Sequence, residues 1–260
     1  MPVEYALETI HVDIKDYVAV VTMDNPPVNA FSRKLQDEIR IAFDRISDDD
    51  DVRAAVLTGK GRVFCAGADL KNRGGFKGPG GQSEGSRSAR ETFLSIVECA
   101  KPVIGALNGP ALGAGLAVAA SCDILIAAER GSLGLPEIDV GLMGGGRHTM
   151  RLFGHSLARR MAFTGYRVPG SELYRLGIVE ACVPEAELMP AAVKMAADIA
   201  GKAPIAAQLF KHTMNTIEEM TLRDGYRYEQ DMTAKLGKTE DAKEAMRAFV
   251  EKRKPVFHNR

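Results

Sequence analysis

Short apolar runs alternate with longer amphipathic stretches through the first half of the chain. Residues 9–15 and 17–23 are β-branched runs on either side of Lys15-Asp16, the pattern of two strands joined as a hairpin. Ser32 then precedes a stretch in which Leu35, Ile39, Ala42, Phe43 and Ile46 recur at helical spacing, which predicts a capped amphipathic helix. The acidic run 47–51 closes that helix. AAVLTG at 54–59 reads as a buried strand, 86–100 as a helix, and 102–107 as a second buried strand. A helix is expected to open near Leu112, and residues 124–128 form the next strand.

Beyond Gly146 the strand signals thin out. Helices are predicted over 156–164, 170–176, 188–201, 204–219, 222–236 and 240–252, broken by Gly165, Pro184, Gly201 and Gly237. The fold class expected is therefore α/β: repeated ββα-like units running into a helical C-terminal region. Apolar faces on terminal helices suit packing against a partner subunit, so a homo-oligomer is expected.

Charge and cysteine usage narrow the function. Thirty-four basic and thirty-four acidic residues cancel, so no global field recruits nucleic acid or an anionic membrane. Cys65, Cys99, Cys122 and Cys182 are scattered without CxxC spacing and read as small buried hydrophobes in a reducing compartment. No apolar run reaches 18 residues and the start lacks a signal-peptide pattern, which points to a cytoplasmic protein without membrane attachment. The aspartates at 48–51 lack calcium-loop spacing and read as a solvated loop. His11, His155, His212 and His258 show no metal-ligand spacing, and neither a P-loop nor a Ser-His-Asp order is present. No metal or redox cofactor is expected.

Two stretches of very small side chains stand out against this background. FCAGADL (64–70) follows the strand at 54–59, and NGPALGAGLAVAASCD (108–123) follows the strand at 102–107. Glycine and alanine side chains do no chemistry, so backbone N–H groups are the working parts. Two such turns facing each other would make a two-donor hole for a developing oxyanion. Six glycines between residues 71 and 90 indicate a plain linker or a lid, and their place directly after FCAGADL favours the lid.

The segments NPPVNAFS, FCAGADL, KPVIGALNGPALGAGLAVAASCDILIA, LPEIDVGL and FVEKRKPVF, in order and at ordinary spacing, resemble the crotonase (enoyl-CoA hydratase/isomerase) superfamily over essentially the whole chain. The resemblance implies a ClpP-like spiral of ββα units over 1–200 and a helical trimerisation region over 201–260, assembled as a trimer or dimer of trimers. It implies a coenzyme A thioester as the substrate, whose enolate is stabilised at the thioester carbonyl. The oxyanion donors would be the N–H groups of Ala68 and Ala114, and Glu137 would be the acid/base. Coenzyme A would lie along the loop at Val28 and Ala30 and the turn through Ala66, Asp69 and Leu70. Lys252 matches a lysine that relatives bring to the 3′-phosphate, often from a neighbouring subunit, although it also suits a solvated helix end.

One departure from the family pattern bears directly on the reaction. Hydration of an enoyl thioester uses two carboxylates, and the position of the second, three residues after Ala114, is Ala117. Three readings stay open: a proton shuttle by Glu137 alone, as in double-bond isomerases; hydration with a substitute group; or other enolate chemistry such as decarboxylation or C–C cleavage. A non-catalytic acyl-CoA binder on the same fold is the alternative from another class. Arg147 and His148 replace two family glycines at a helix start: His148 as a replacement base or substrate partner, Arg147 as a partner for an acidic acyl group, or both as ordinary flanking residues. Asp139 shares a face with Glu137 only if the segment is a strand. The aspartate that dienoyl-CoA isomerases carry eight residues after the glutamate is Gly145 here. Tyr166 and Tyr174 are read as core-packing residues.

Overall fold

The computed structural model describes residues 7–70 and 80–260. Strands β1 (Ile10–Lys15) and β2 (Val18–Met23) pair antiparallel, with Lys15 opposite Val18. Asp16 and Tyr17 form the turn with φ of 50° and 64°, the left-handed pair that matches strand twist in a two-residue hairpin. The helix that follows, α1 (Arg33–Asp48), is capped by Ser32, whose side chain accepts the Leu35 N–H. Its buried face carries Leu35, Ile39, Ala42, Phe43 and Ile46, the residues at helical spacing in the sequence.

From α1 the chain enters β3 (Ala54–Gly59), parallel to β2, and then passes through α2 (Gly81–Val97) to β4 (Val103–Leu107), parallel to β3. Every residue of β3 and β4 is buried, as expected for central strands covered on both faces. There follow β5 (Pro110–Leu112), α3 (Ala114–Ala120), β6 (Ile124–Ala128), β7 (Ser132–Gly134), a 3-10 helix (Pro136–Val140), α4 (Gly146–Leu152), α5 (His155–Thr164), β8 (Arg167–Pro169), α6 (Gly170–Arg175) and β9 (Cys182–Val183). The main sheet runs β1-β2-β3-β4-β6-β9 and is parallel after the hairpin; β5, β7 and β8 form a second, smaller sheet.

One core holds Phe43, Phe64, Leu107 and Leu116 between the two sheets and α1. The opposite face of the main sheet is covered by α7 (Glu185–Ala200), which buries Leu188, Ala192, Ala196 and Ala200 against Val56, Ile104 and Ile126. A stripe of alanines every fourth residue lets the helix axis approach the sheet closely. After it come α8 (Pro204–Ile217), α9 (Leu222–Leu236) and α10 (Glu240–Val250).

Buried polar groups fasten α8 to the body. The Lys211 ammonium, almost fully enclosed, donates to the carbonyls of Ile96 (3.0 Å) and Lys101 (3.1 Å) and pairs with Asp123 Oδ2 at 2.9 Å. Asn215 Nδ2 donates to the Val97 carbonyl at 2.8 Å. These two side chains thereby satisfy carbonyls in the last turn of α2 that have no partner within the helix. By contrast α9 and α10 leave Leu222, Tyr226, Met246, Phe249 and Val250 exposed. The tail beyond α10 folds back: Asp241 accepts the His258 and Asn259 N–H groups, and Arg253 pairs with Glu244.

Several expectations are corrected. The glycine-rich stretch 71–90 is not a loop throughout, because α2 begins at Gly81, well before the expected start at 86, and ends at Val97 rather than at 100; residues 71–79 lie outside the described residues. Its buried face is Gly81, Ser88, Thr92 and Ile96. Small polar residues thus make the contact with α1, where Thr92 Oγ1 donates to the Gln36 carbonyl at 3.3 Å, and an apolar periodicity does not reveal them. The helix expected near Leu112 opens at Ala114, because Pro110–Leu112 is spent as β5. Strands β5, β7, β8 and β9 are two or three residues long, too short for a period to register. Among the described residues no helix is long and apolar enough to cross a membrane.

Candidate active site

Both small-residue turns leave the carboxyl ends of neighbouring parallel strands, β3 and β4, and so meet. Cys65 bridges Ala111, and the Leu112 N–H donates to the Cys65 carbonyl at 3.0 Å. Gly67 makes the approach possible: its φ is 96°, and a Cβ there would lie 2.7 Å from the Leu112 carbonyl oxygen and 3.7 Å from the Ala114 nitrogen. On the other side, the Ala66 N–H donates to Val28 O (3.1 Å) and the Phe31 N–H to Gly67 O (2.8 Å). Val28 and Ala30 are thereby brought against the turn through Ala66, Asp69 and Leu70. Neither the Ala68 nor the Ala114 N–H donates to a backbone carbonyl among the described residues. Ala114 opens α3, and first-turn N–H groups have no partner within a helix.

These turns border a cavity of about 1660 Å³ whose lining includes Ala68, Ala114, Ala117, Glu137 and His148. Glu137 is carried by the 3-10 helix, and its carboxylate rests against Gly113, where a Cβ would overlap Oε1. Gly113 has φ 55° and ψ −117°, a backbone shape that a side chain would strain. Glu137 Oε2 is buried with no hydrogen-bond partner among the described residues. Burial raises the proton affinity of this carboxyl above the usual carboxylate range. Ala117 presents a methyl group to the same cavity. The segment is a 3-10 helix rather than a strand; Asp139 borders the same cavity as Glu137, but its carboxylate rests against Gly165, where a Cβ would lie 2.9 Å from Oδ2.

An aromatic wall closes another side. Phe31 and Phe93 stack with centroids 5.3 Å apart and planes within 7°, and Phe93 meets the His148 ring edge-to-face at 4.8 Å. Burial, and then the charges of Arg151 and Arg147, lower the pKa of His148 below the ordinary imidazole value. Arg147 itself points away: it is exposed, pairs with Glu219 and is absent from the cavity lining, so the position expected for an acidic acyl group is not offered by this side chain. Tyr174 is 57% exposed rather than packed in the core, whereas Tyr166 packs on the core under the Arg160 guanidinium. The cysteines Cys65, Cys99 and Cys122 are buried, and Cys182 is half-buried.

Lys252 does not join the cavity of its own chain. The tail it begins is fixed by Asn259 to Asp50 and by Arg53 to the Phe257 carbonyl, at the amino end of β3, whereas the turn 64–70 leaves the carboxyl end. Arg167, which no sequence motif singles out, does line the cavity. It sits on β8 opposite Gly134, whose carbonyl holds the Gly113 N–H at 2.9 Å; a three-residue strand carries no periodic signal that would expose it. Among the described residues no cluster of His, Cys, Asp or Glu could hold a metal.

Known proteins share this sequence and shape. The family model for enoyl-CoA hydratase/isomerase matches residues 13–260. A probable mitochondrial enoyl-CoA hydratase of Dictyostelium discoideum is 36% identical, covering 95% of this chain and 89% of that protein. The short-chain-enoyl-CoA hydratase of Clostridium acetobutylicum is 34% identical, covering 98% and 99%. The solved enoyl-CoA hydratase of Bacillus anthracis superposes with a TM-score of 0.92 at 32% identity, over 97% of this chain and all of the other. With the paired turns, the glutamate and the sheet order all in place, the chain belongs to the enoyl-CoA hydratase/isomerase (crotonase) family.

Proposed function

We propose that this chain is an acyl-CoA enzyme that forms a thioester enolate, with the Ala68 and Ala114 N–H groups receiving the carbonyl oxygen and Glu137 moving the proton at C2. The observation that carries this reading is the buried, unpartnered oxygen of Glu137 beside the first turn of α3. Moving that proton is the step common to hydration and to double-bond isomerisation. Coenzyme A would run along Val28 and Ala30 and the turn through Ala66, Asp69 and Leu70. Lys252 would meet a 3′-phosphate only from a neighbouring copy in a homo-oligomer, for which the exposed apolar residues of α9 and α10 give support. The substrate serves in place of any resident cofactor.

The test is turnover of 2-enoyl-CoA and 3-enoyl-CoA substrates by wild type and Glu137→Gln. A general acid/base supplies about 10²–10⁴-fold, so Glu137→Gln should lose that much kcat while still binding acyl-CoA. The alternative is a non-catalytic acyl-CoA binder, which Ala117 favours by removing one carboxylate. Tight binding without turnover in wild type would establish it, and decarboxylation or C–C cleavage would show as CoA products from β-carboxylated or branched acyl thioesters alone.

A further inference from the structure

Glu137 leaves one proton without a carrier if the enzyme adds water, because Ala117 holds a methyl where the second carboxylate would be. The cavity contains another group suited to the task. Gly144 and Gly145, just before α4, touch the catalytic wall: a Cβ on Gly144 would lie 3.8 Å from Glu137 Oε1, and one on Gly145 3.7 Å from the Gly113 carbonyl oxygen. His148 follows about one helical turn later, on a helix that packs against α3, the carrier of Ala117. Its ring is held edge-to-face by Phe93 and lines the same cavity. No hydrogen bond to another described residue engages its nitrogens.

From this juxtaposition we infer that His148 is a second catalytic residue, the base that activates water and so makes the site a hydratase despite Ala117. The inference rests on the enolate reading above. The water oxygen bonds to C3 of a 2-enoyl thioester and its proton passes to an imidazole nitrogen. The C2–C3 π pair becomes the enolate held at Ala68 and Ala114, and the Glu137 carboxylic acid gives its proton to C2. The imidazolium then returns a proton through solvent to the Glu137 carboxylate, which restores both groups. Arg147 and Arg151 of its own helix are tied to Glu219 and Glu218, and the charged groups along the cavity are Arg33 and Lys34 of α1, Asp69 of the turn after β3, Glu84 and Arg90 of α2, Glu137 and Asp139 of the 3-10 helix, and Arg167 of β8. Helix α3 carries no charge. Burial, and then Arg151 and Arg147, shift the imidazole toward its neutral form, the form a base requires, and burial shifts Glu137 toward its acid form.

The experiment follows loss of the conjugated thioester in a short straight-chain 2-enoyl-CoA, against pH, for wild type, His148→Gln, His148→Ala and Glu137→Gln. Wild type should show a bell-shaped kcat/KM profile. His148→Gln should lose roughly 10²–10³-fold in kcat, keep KM within about threefold, and lose one limb of the bell. Added imidazole should restore His148→Ala by at least about tenfold. Hydration by His148→Gln within about threefold of wild type overturns the inference. So does a wild type that shows a single limb, or that shifts the double bond of 3-enoyl-CoA without ever adding water; these last two need no variant to fold. If Glu137→Gln abolishes turnover and His148→Gln does not, only the histidine's role falls. If neither matters, the enolate reading falls with it.

Discussion

The carboxylate of Glu137 lies directly on the bare Cα of Gly113, so the residue that precedes the first turn of α3 also sets the seat of this carboxylate. A methyl group at Gly113 meets both Oε1 and a backbone at φ 55°. Gly113→Ala should therefore lose about 1–3 kcal/mol of stability from backbone strain and roughly 10²-fold in kcat, since misplacing a reacting group by about 1 Å costs that much. Urea unfolding and steady-state kinetics check the two parts. A variant with wild-type kcat would separate the glycine from the chemistry.

Lys211 is held by two carbonyls and the Asp123 carboxylate. Truncation strands those acceptors, and breaking a buried pair by removing one partner costs about 3–5 kcal/mol. Asp123 keeps the Val103 N–H at 2.7 Å and some solvent contact, which places Lys211→Ala near about 3 kcal/mol. The expected readout is a lower urea midpoint at nearly constant m.

Ala196 is fully enclosed between α7 and the sheet. Ala196→Leu should destabilise by about 1–3 kcal/mol through overpacking, whereas a leucine at the half-buried Met189 should change stability by less than about 1.5 kcal/mol. Thermal denaturation of the pair separates close helix-to-sheet packing from general hydrophobicity; equal effects would contradict the alanine stripe.

The Arg253 guanidinium, then the Val256 N–H, hold the Glu244 carboxyl down to about 2. A depressed folded value contributes stability fully above the unfolded value of 4.5 and loses it as pH falls toward about 2. The attachment of residues 251–260 to α10 should therefore loosen between those limits. Amide exchange of Val256 is the direct probe: protection at pH 5 that declines as acid is added, and that weakens with salt because the pair is exposed. Protection unchanged at pH 2.5 would remove Glu244 from the account.

The parts of the molecule with a repeating spacing are legible in the amino-acid sequence: the hairpin, α1 with Leu35 to Ile46, the buried strands β3 and β4, and the helices from α7 onward. The start of α2 is not, because Ser88 and Thr92 do the packing that apolar residues do elsewhere. In the site, the approach of Val28 and Ala30 to the turn through Ala66 and Leu70 follows from the motifs. What motifs do not encode is direction. Arg147 and His148 are adjacent in sequence, yet one pairs outward with Glu219 and the other faces the cavity. The places of Arg167 and Asp139 on the cavity wall likewise depend on a three-residue strand and a 3-10 helix that leave no periodic mark.

The tether from α8 to α2 also has a meaning in the order of synthesis. The carbonyls of Ile96 and Val97 receive their donors from Lys211 and Asn215, more than a hundred residues later. Until those side chains emerge, the helix that carries Phe93 and one wall of the cavity ends in uncapped carbonyls, whatever the state of the sheet behind it. A chain stopped short of α8 therefore possesses both small-residue turns and Glu137 but a cavity wall with a loose end, so the cavity is complete only when the last quarter of the protein has been made.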